Sequence, residues 1–417
     1  MLNRTIKNIG FISTRIAGTD GVSLEIMKWA EVLERNRFNC FYFAGELACD
    51  KDVSYNVGEA HFEHPKIVSI NERIFGNTTR SPKTTAEVQN IKENIKSALY
   101  DFVKKYEIDL IIPENALTIP MNIPLGLAIT EFIAETCIPT IAHHHDFYWE
   151  RDRFLINACL DYLDNSFPPD LPSMRHVVIN SLASKQLSYR LGISSTIIPN
   201  VYNFAEELLD LDNYPRELKH RIGLNKDDLF ILQPTRVLPR KWIERSIEIV
   251  NNLKISNPVL VISHATGDEG DDYYRKIKEY SKNMGVKIIT IAHLIGKQNA
   301  SENKKYTIAD VYKSADLITY PSGYEGFGNA FLESVYYKKP IVVNRYSIYI
   351  ADIEPKGFDV ITIDGFATGK AISKIKKVLD DKEYQNTMLN KNYELAKRFF
   401  SYEVLENKLM YIISTFN

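Results

Sequence analysis

Asn8-Ile9-Gly10-Phe11-Ile12-Ser13, Gly18-Thr19-Asp20-Gly21, Ser23 to Arg35 and Cys40-Phe41-Tyr42-Phe43-Ala44 follow one another near the start of the chain. They read as strand, polar glycine-bearing loop, helix and strand. The helix carries Leu24, Met27, Ala30 and Val32-Leu33 at helical spacing. A strand–loop–helix–strand unit predicts a parallel sheet.

The pattern repeats outward from there. Ala86 to Lys105 reads as a long helix and Ile108 to Ile112 as a buried strand. Ile123 to Thr136 is helical again, and Pro139-Thr140-Ile141-Ala142-His143 is a short strand. A strand at His176 to Asn180, a helix at Leu182 to Leu191 and a strand at Thr196 to Asn200 complete the series. Short apolar strands separated by helices describe a sheet covered on both faces. Val201 to Asn225 is polar and weakly periodic, a linker with a small helix. A second series then begins at Leu229 to Gln233, with strands at Pro258 to Ser263, Val286 to Ile291, Leu317 to Tyr320, Pro340 to Asn344 and Asp359 to Ile363. The expectation is an α/β chain of two doubly wound Rossmann-like domains facing a cleft. Ligands in such sheets bind at the carboxyl ends of the strands. The expected boundaries are 1–202, 203–395 and a tail, 396–417, whose last helix crosses back to the first domain. No internal repeat or low-complexity segment is visible.

Composition narrows the function. The 417 residues are 45% hydrophobic and 25% charged, enough to build two cores. With 51 Lys plus Arg against 53 Asp plus Glu, the net charge of −2 argues against a general nucleic-acid binder. Cys40, Cys49, Cys137 and Cys159 form no C-x-x-C pair, so neither a disulfide scaffold nor a zinc ribbon is suggested. No run approaches the roughly 20 apolar residues of a membrane span. These features predict a cytoplasmic protein without a transmembrane segment.

Three stretches carry chemistry. Tyr320-Pro321-Ser322-Gly323-Tyr324-Glu325-Gly326-Phe327-Gly328-Asn329-Ala330-Phe331-Leu332-Glu333 runs from a strand end through a glycine-rich loop into a helix. Its glycines admit a ligand close to the backbone, and the helix start favours an anion. Glu325 and Glu333 can both face one ligand, and carboxylates grip vicinal hydroxyls. Gln233-Pro234-Thr235-Arg236-Val237-Leu238-Pro239-Arg240-Lys241-Trp242 follows the first strand of the second series. There Arg236 and Lys241 flank a turn, two cations that suit a pyrophosphate. Ala142-His143-His144-His145-Asp146-Phe147-Tyr148-Trp149-Glu150-Arg151-Asp152-Arg153 follows a strand of the first series. Consecutive residues of an extended chain point to opposite faces, so three adjacent histidines are not expected to converge on a metal. Each stretch also has a plainer reading: a helix-dipole glutamate, a solvated basic loop, an amphipathic helix start.

Several ordered motifs together resemble glycosyltransferase family 4, the retaining nucleotide-sugar transferases of the GT-B fold. They are the Arg236/Lys241 pair; Thr290-Ile291-Ala292-His293-Leu294-Ile295-Gly296; Val311-Tyr312-Lys313-Ser314-Ala315-Asp316-Leu317; the E-G-F-G-x4-E run; and Lys339-Pro340-Ile341-Val342-Val343. Gly18 to Glu25 and the histidine strand resemble the family more weakly. The chain departs from the family pattern at Asn329, at Tyr336-Tyr337-Lys338-Lys339 and at Arg345-Tyr346-Ser347. The resemblance implies an acceptor-binding first domain and a donor-binding second one. Arg236 and Lys241 would hold and stabilise the leaving diphosphate. Glu333 would take the ribose hydroxyls. Glu325 with Gly326, Phe327 and Gly328 would take the donor sugar, and Leu294 and its neighbours would frame the base.

A histidine contacting the donor sugar is implied as well, with His145 beside Asp146 as first choice and His143 as second. Gly21 would lie by the diphosphate. Asp20, Asp146, Tyr148 and Arg151 would line the acceptor, with Arg15 and Arg80 as further anchors. The catalytic set implied is Arg236, Lys241, Glu325 and His145, working by front-face displacement with no metal and no other cofactor. The partners are a UDP- or GDP-sugar and an acceptor hydroxyl. The histidine–aromatic stretch and first loop resemble enzymes that make small compatible solutes, of mannosylglucosyl-phosphoglycerate or glucosylglycerate type. A lipid or polysaccharide acceptor, a GT-B phosphorylase or epimerase, and a non-catalytic nucleotide-sugar sensor are the rival readings.

Overall fold

The computed structural model describes residues 6–18, 20–206, 214–265, 272–296 and 306–416. Thr19 of the first loop and 207–213 of the expected linker lie outside them. The chain falls into two compact units: Met1–Asn200 with Tyr402–Asn417, and Val201–Ser401.

The first unit holds seven parallel strands: β1 (Asn8–Ile12), β2 (Asn39–Ala44), β3 (Ser54–Asn56), β4 (Leu110–Pro113), β5 (Thr140–His144), β6 (Met174–Val178) and β7 (Ser195–Ile197). Their order across the sheet is β3-β2-β1-β4-β5-β6-β7, the reversal of a doubly wound sheet after β1. The helix Pro82–Tyr106 shows why these residues fold this way. Ser81 caps its N-terminus by accepting from the Thr84 amide, and Pro82 stands in its first turn. Val88, Ile91, Ile95, Leu99, Phe102 and Tyr106 then recur on one face and are buried. Phe102 packs so close to β1 that a Cβ at Gly10 would lie 2.7 Å from its ring. That strand position admits no larger residue without movement.

The second unit repeats the plan with six strands: β8 (Leu229–Gln233), β9 (Pro258–Ile262), β10 (Lys287–Thr290), β11 (Leu317–Tyr320), β12 (Ile341–Asn344) and β13 (Ile361–Ile363). Their order is β10-β9-β8-β11-β12-β13, again all parallel. The sheet reverses beside β8. The carboxyl ends of β8 and β11 are therefore adjacent, and each leads into one of the charged loops singled out above.

The expected boundary at 395/396 falls inside a single helix, Lys382–Phe400. The next helix, Tyr402–Ser414, belongs to the first unit and packs on the helix Gly21–Arg35. Leu405, Leu409, Ile412 and Ile413 are buried, and Lys408 donates to the Ile197 carbonyl at 2.6 Å. Burying an aliphatic side chain contributes about 1.5–3 kcal/mol, so four amount to a large share of a typical domain's stability. Truncation after Ser401 is expected to loosen the first unit although the cut lies at the far end of the chain. Hydrogen exchange checks this: protection should fall across Gly21–Arg35 and Ser195–Ile197. Unchanged protection there would contradict it.

Candidate active site

The loop after β8 and the loop after β11 are built as one piece. Pro239–Lys241 forms a short 3-10 turn closed by Trp242, whose φ of 48° is left-handed. That backbone swings the indole against Gly323, where a Cβ would come within 2.5 Å of the ring. The Gly323 amide donates to the Arg240 carbonyl at 2.9 Å. Lys241 Nζ is hydrogen-bonded to Glu325 Oε1, and Arg240 donates to Glu325 Oε2 at 3.3 Å. Burial works against both charged groups. The Lys241 ammonium is pushed below the usual lysine value, first by burial, with Glu325 opposing and Arg240 reinforcing the fall. Burial would raise the Glu325 carboxyl, but Lys241 and Arg240 outweigh it and hold it below the usual carboxylate range.

Two further groups complete this cationic corner. Arg236 is exposed, and its guanidinium takes no ion-pair or hydrogen-bond partner among the described residues. His264, just past the end of β9, is pushed down to about 4, mainly by burial and then by Arg236 and Lys241. It is a neutral ring beside fixed positive charge. A diphosphate is the chemistry such a corner suits, because oxyanions take charge-assisted bonds from preorganised cations. Gly323→Ala is expected to force the indole away and disconnect the two loops, reducing donor affinity at least about tenfold. Titration with the nucleotide checks this, and wild-type affinity would contradict it.

The turn Gly326–Gly328 continues into the helix Asn329–Tyr336. Gly328 has φ 116°, and a Cβ there would strike the Tyr346 hydroxyl at 2.3 Å. That hydroxyl donates to the Phe327 carbonyl at 2.7 Å and so pins the turn. Glu333 stands on the helix, half-buried, and accepts from the Tyr312 hydroxyl at 2.7 Å. Leu294 lies in a 3-10 turn, Ala292–Leu294; its amide donates to the Ile291 carbonyl and its carbonyl accepts from Tyr306. What it can turn towards a base is chiefly its half-exposed side chain.

In the first unit the three histidines part company. His144 faces away from the other two and is committed on both ring nitrogens: Nδ1 lies 2.6 Å from Thr118 Oγ1 and Nε2 lies 3.0 Å from His176 Nδ1. His143 and His145 share the opposite face, two residues apart on an extended chain. Between them lies the fully buried carboxylate of Glu114, just past the end of β4. It stands 2.9 Å from His143 Nδ1 and 3.3 Å from His145 Nε2. Burial would raise the Glu114 carboxyl, but the two histidines outweigh it and lower it. Burial would lower His145, but the Glu114 hydrogen bond and charge outweigh it, so the ring is held above the usual histidine value. His143 falls below that value because burial prevails over Glu114. It is covered by Trp29, stacked at 4.1 Å, and is 1% exposed, so it braces Glu114 and has no open ring face for a donor.

The ligand atoms of Glu114, His143 and His145 lie within 4.8 Å of one another, near enough to gather round one cation. The alternation argument therefore removes only His144 from such a group. The convergence comes from the neighbouring strand end, which residue adjacency cannot show.

The expected acceptor residues are largely engaged with the protein itself. Asp20 is the N-cap of Gly21–Arg35: Oδ1 accepts from the Val22 and Ser23 amides, and Oδ2 from Ser23 Oγ and Arg15. Gly21 opens that helix with nothing within 4 Å of where its Cβ would be, which leaves room for a ligand. Asp146 accepts from Asn115 at 3.2 Å and is paired with Arg151. Tyr148 begins a 3-10 turn, Tyr148–Glu150, and packs half-buried on the core. Trp149 and Glu150 are both tied to Gln186. Arg80 grips Asp161 with two nitrogens, at 2.9 and 2.7 Å, and lies over the Tyr162 ring, a structural pairing that uses up its fork.

Comparison with known proteins fits this geometry. Residues 216–395 match the family model of "Glycosyl transferases group 1". Mannosylglucosylglycerate synthase of Petrotoga mobilis is 32% identical over 85% of this chain and 86% of its own length. The synthase of the same name from Thermotoga maritima is 30% identical over 96% of this chain and 98% of its own. The chain belongs to the group 1 glycosyl transferases. Solved structures agree on the fold. A Rickettsia africae glycosyltransferase superposes with a TM-score of 0.72 at 13% identity, covering 99% of each chain. Anabaena HepE, in complex with UDP and glucose, gives 0.67 at 12% identity, covering 97% of this chain and 99% of its own. As a group 1 glycosyl transferase the protein is a GT-B hexosyltransferase using a nucleotide-sugar donor. Among the described residues no helix is long and apolar enough to cross a membrane.

Within this glycosyl transferase, motif reading overlooked Glu114, Asn115, Trp29, His264 and Tyr312. Tyr312 lay inside a quoted family stretch and Glu114 at the end of a recognised strand. What was lacking was strand order: β4 beside β5 brings Glu114 to the histidines, and β9 beside β8 brings His264 to Arg236.

Proposed function

We propose that the protein moves a mannosyl group from a nucleoside-diphosphate mannose to a small polar acceptor of the glucosylglycerate class, with retention at the anomeric carbon. The observation that carries this reading is near-full-length identity of 30–32% to two mannosylglucosylglycerate synthases. In this account Arg236 and Lys241 hold the diphosphate and stabilise its charge as the glycosidic bond breaks. Glu325 positions the sugar hydroxyls and keeps Lys241 in place. Glu333 takes the ribose. His145, fixed by Glu114, is the histidine assigned to the donor sugar, and Gly21 is assigned to the diphosphate. The acceptor proton passes to the leaving diphosphate on the same face, so no protein nucleophile is required. The first unit is assigned to the acceptor and the second to the donor.

A thermal-shift screen of UDP- and GDP-hexoses tests the donor, since a bound ligand stabilises in proportion to the logarithm of its concentration over Kd. The best donor is then offered to glucosylglycerate and to its phosphorylated counterpart. Transfer to neither, with transfer to a lipid or polysaccharide acceptor, would overturn the acceptor assignment. Turnover is expected to survive exhaustive chelation, because the corner that meets the diphosphate is built from Arg236 and Lys241. Loss with EDTA and recovery with magnesium or manganese would contradict that.

A further inference from the structure

Tyr312 is fully buried, at the end of the short helix Ile308–Ser314, which Thr307 and Asp310 cap reciprocally. Its ring is stacked on Tyr337 at 5.2 Å and 19°. Its hydroxyl lies 2.7 Å from Glu333 Oε2, with the Ala330 carbonyl a distant second acceptor at 3.5 Å. A buried hydroxyl must be paired, and here the partner is a carboxylate on another helix. Burial, followed by Glu333, holds the phenol well above its usual value, so it remains a donor at all working pH.

We propose that Tyr312 is a positioning residue for the donor's ribose, one that sets the plane in which Glu333 meets the vicinal hydroxyls. A carboxylate has about four lone-pair sites. The tyrosine occupies one from the buried side and stops rotation of the group. A diol then meets the carboxylate in one orientation rather than many, which lowers the ordering cost of binding. Tyr337, beneath the ring, places its hydroxyl 3.2 Å from that of Tyr202, so the stack is itself held. The inference rests on the ribose role of Glu333, and the test separates the two.

Affinities of UDP and GDP are measured by calorimetry for the wild type, and the tighter one is compared with its 2′-deoxy form. The wild type should favour the ribonucleotide about 10–100-fold. Tyr312→Phe keeps the ring and its stacking, and should cut that preference to about threefold or less. Its donor KM should rise while kcat stays within about twofold. Glu333→Asp, which withdraws the carboxylate from the hydroxyl without touching the tyrosine stack, should show the same loss. If the wild type discriminates, Glu333→Gln abolishes discrimination and Tyr312→Phe or Glu333→Asp keeps it, the positioning inference fails and the ribose role stands. If the wild type itself does not discriminate, both fall.

Discussion

Lys241→Ala is expected to lower kcat/KM by about 100–1,000-fold, the usual cost of removing a preorganised donor from a developing negative charge. The structure adds a second effect. Lys241 is the buried ion-pair partner of the Glu325 carboxylate, and among the described residues Arg240, partly exposed, is the one cation that would still pair with it. Breaking a buried pair from one side leaves the other charge poorly compensated, so a loss of about 2–3 kcal/mol in stability is expected as well. Lys241→Ala with Glu325→Gln should regain most of that stability and none of the activity. Denaturant unfolding and steady-state rates separate the two. A single variant with rates within about threefold of wild type would show that Lys241 is not catalytic.

Glu114→Gln should cost about 2–3 kcal/mol of stability, since hydrogen bonds to a buried carboxylate are lost at two rings. It should also move the pH of greatest stability upward. His145 is raised in the folded chain, so its contribution is complete below the ordinary value of 6.5 and fades as pH climbs through the folded one. Glu114 is lowered, so its contribution is complete above 4.5 and fades as pH falls through its folded value. His143, held neutral by burial, adds to the acid-side loss. With the carboxylate gone, burial would hold both rings neutral and each would oppose folding on the acid side. Urea unfolding across about pH 4.5 to 8.5 reads this directly. An unmoved optimum would contradict the Glu114–His145 pairing.

Much of the fold could be read without coordinates, and the exceptions have physical causes. The strands Leu229–Gln233 and Leu317–Tyr320 and the helix Ile123–Thr136 fall at the expected residues, because each is a strong apolar run bounded by polar or turn residues. The sequence predicts no helix or strand across 45–85. It holds a three-residue strand, Ser54–Asn56, and a polar helix, Pro65–Ile74, whose signal rests on Ile67, Ile70 and Ile74. Those three isoleucines, at helical spacing after a first-turn proline, were available to find it.

The site was legible in its residue types and less so in its partnerships. Arg236, Lys241, Glu325 and Glu333 stood out because they follow strand ends. That Lys241 and Glu325 meet each other before any ligand arrives follows from Trp242 packing on Gly323, a contact between positions 81 residues apart. Asp20 shows the opposite case. An aspartate just before a helix is as much a cap as a ligand, and here all its hydrogen bonds are those of a cap and of Arg15.

The most direct test is the anomeric configuration of the product, read by NMR while the enzyme turns over its best nucleotide hexose with glucosylglycerate. The new glycosidic bond is expected to have the same configuration as the donor's and to form with release of the nucleoside diphosphate. A product of inverted configuration, or hydrolysis of the donor with no transfer to any hydroxyl acceptor, would contradict it.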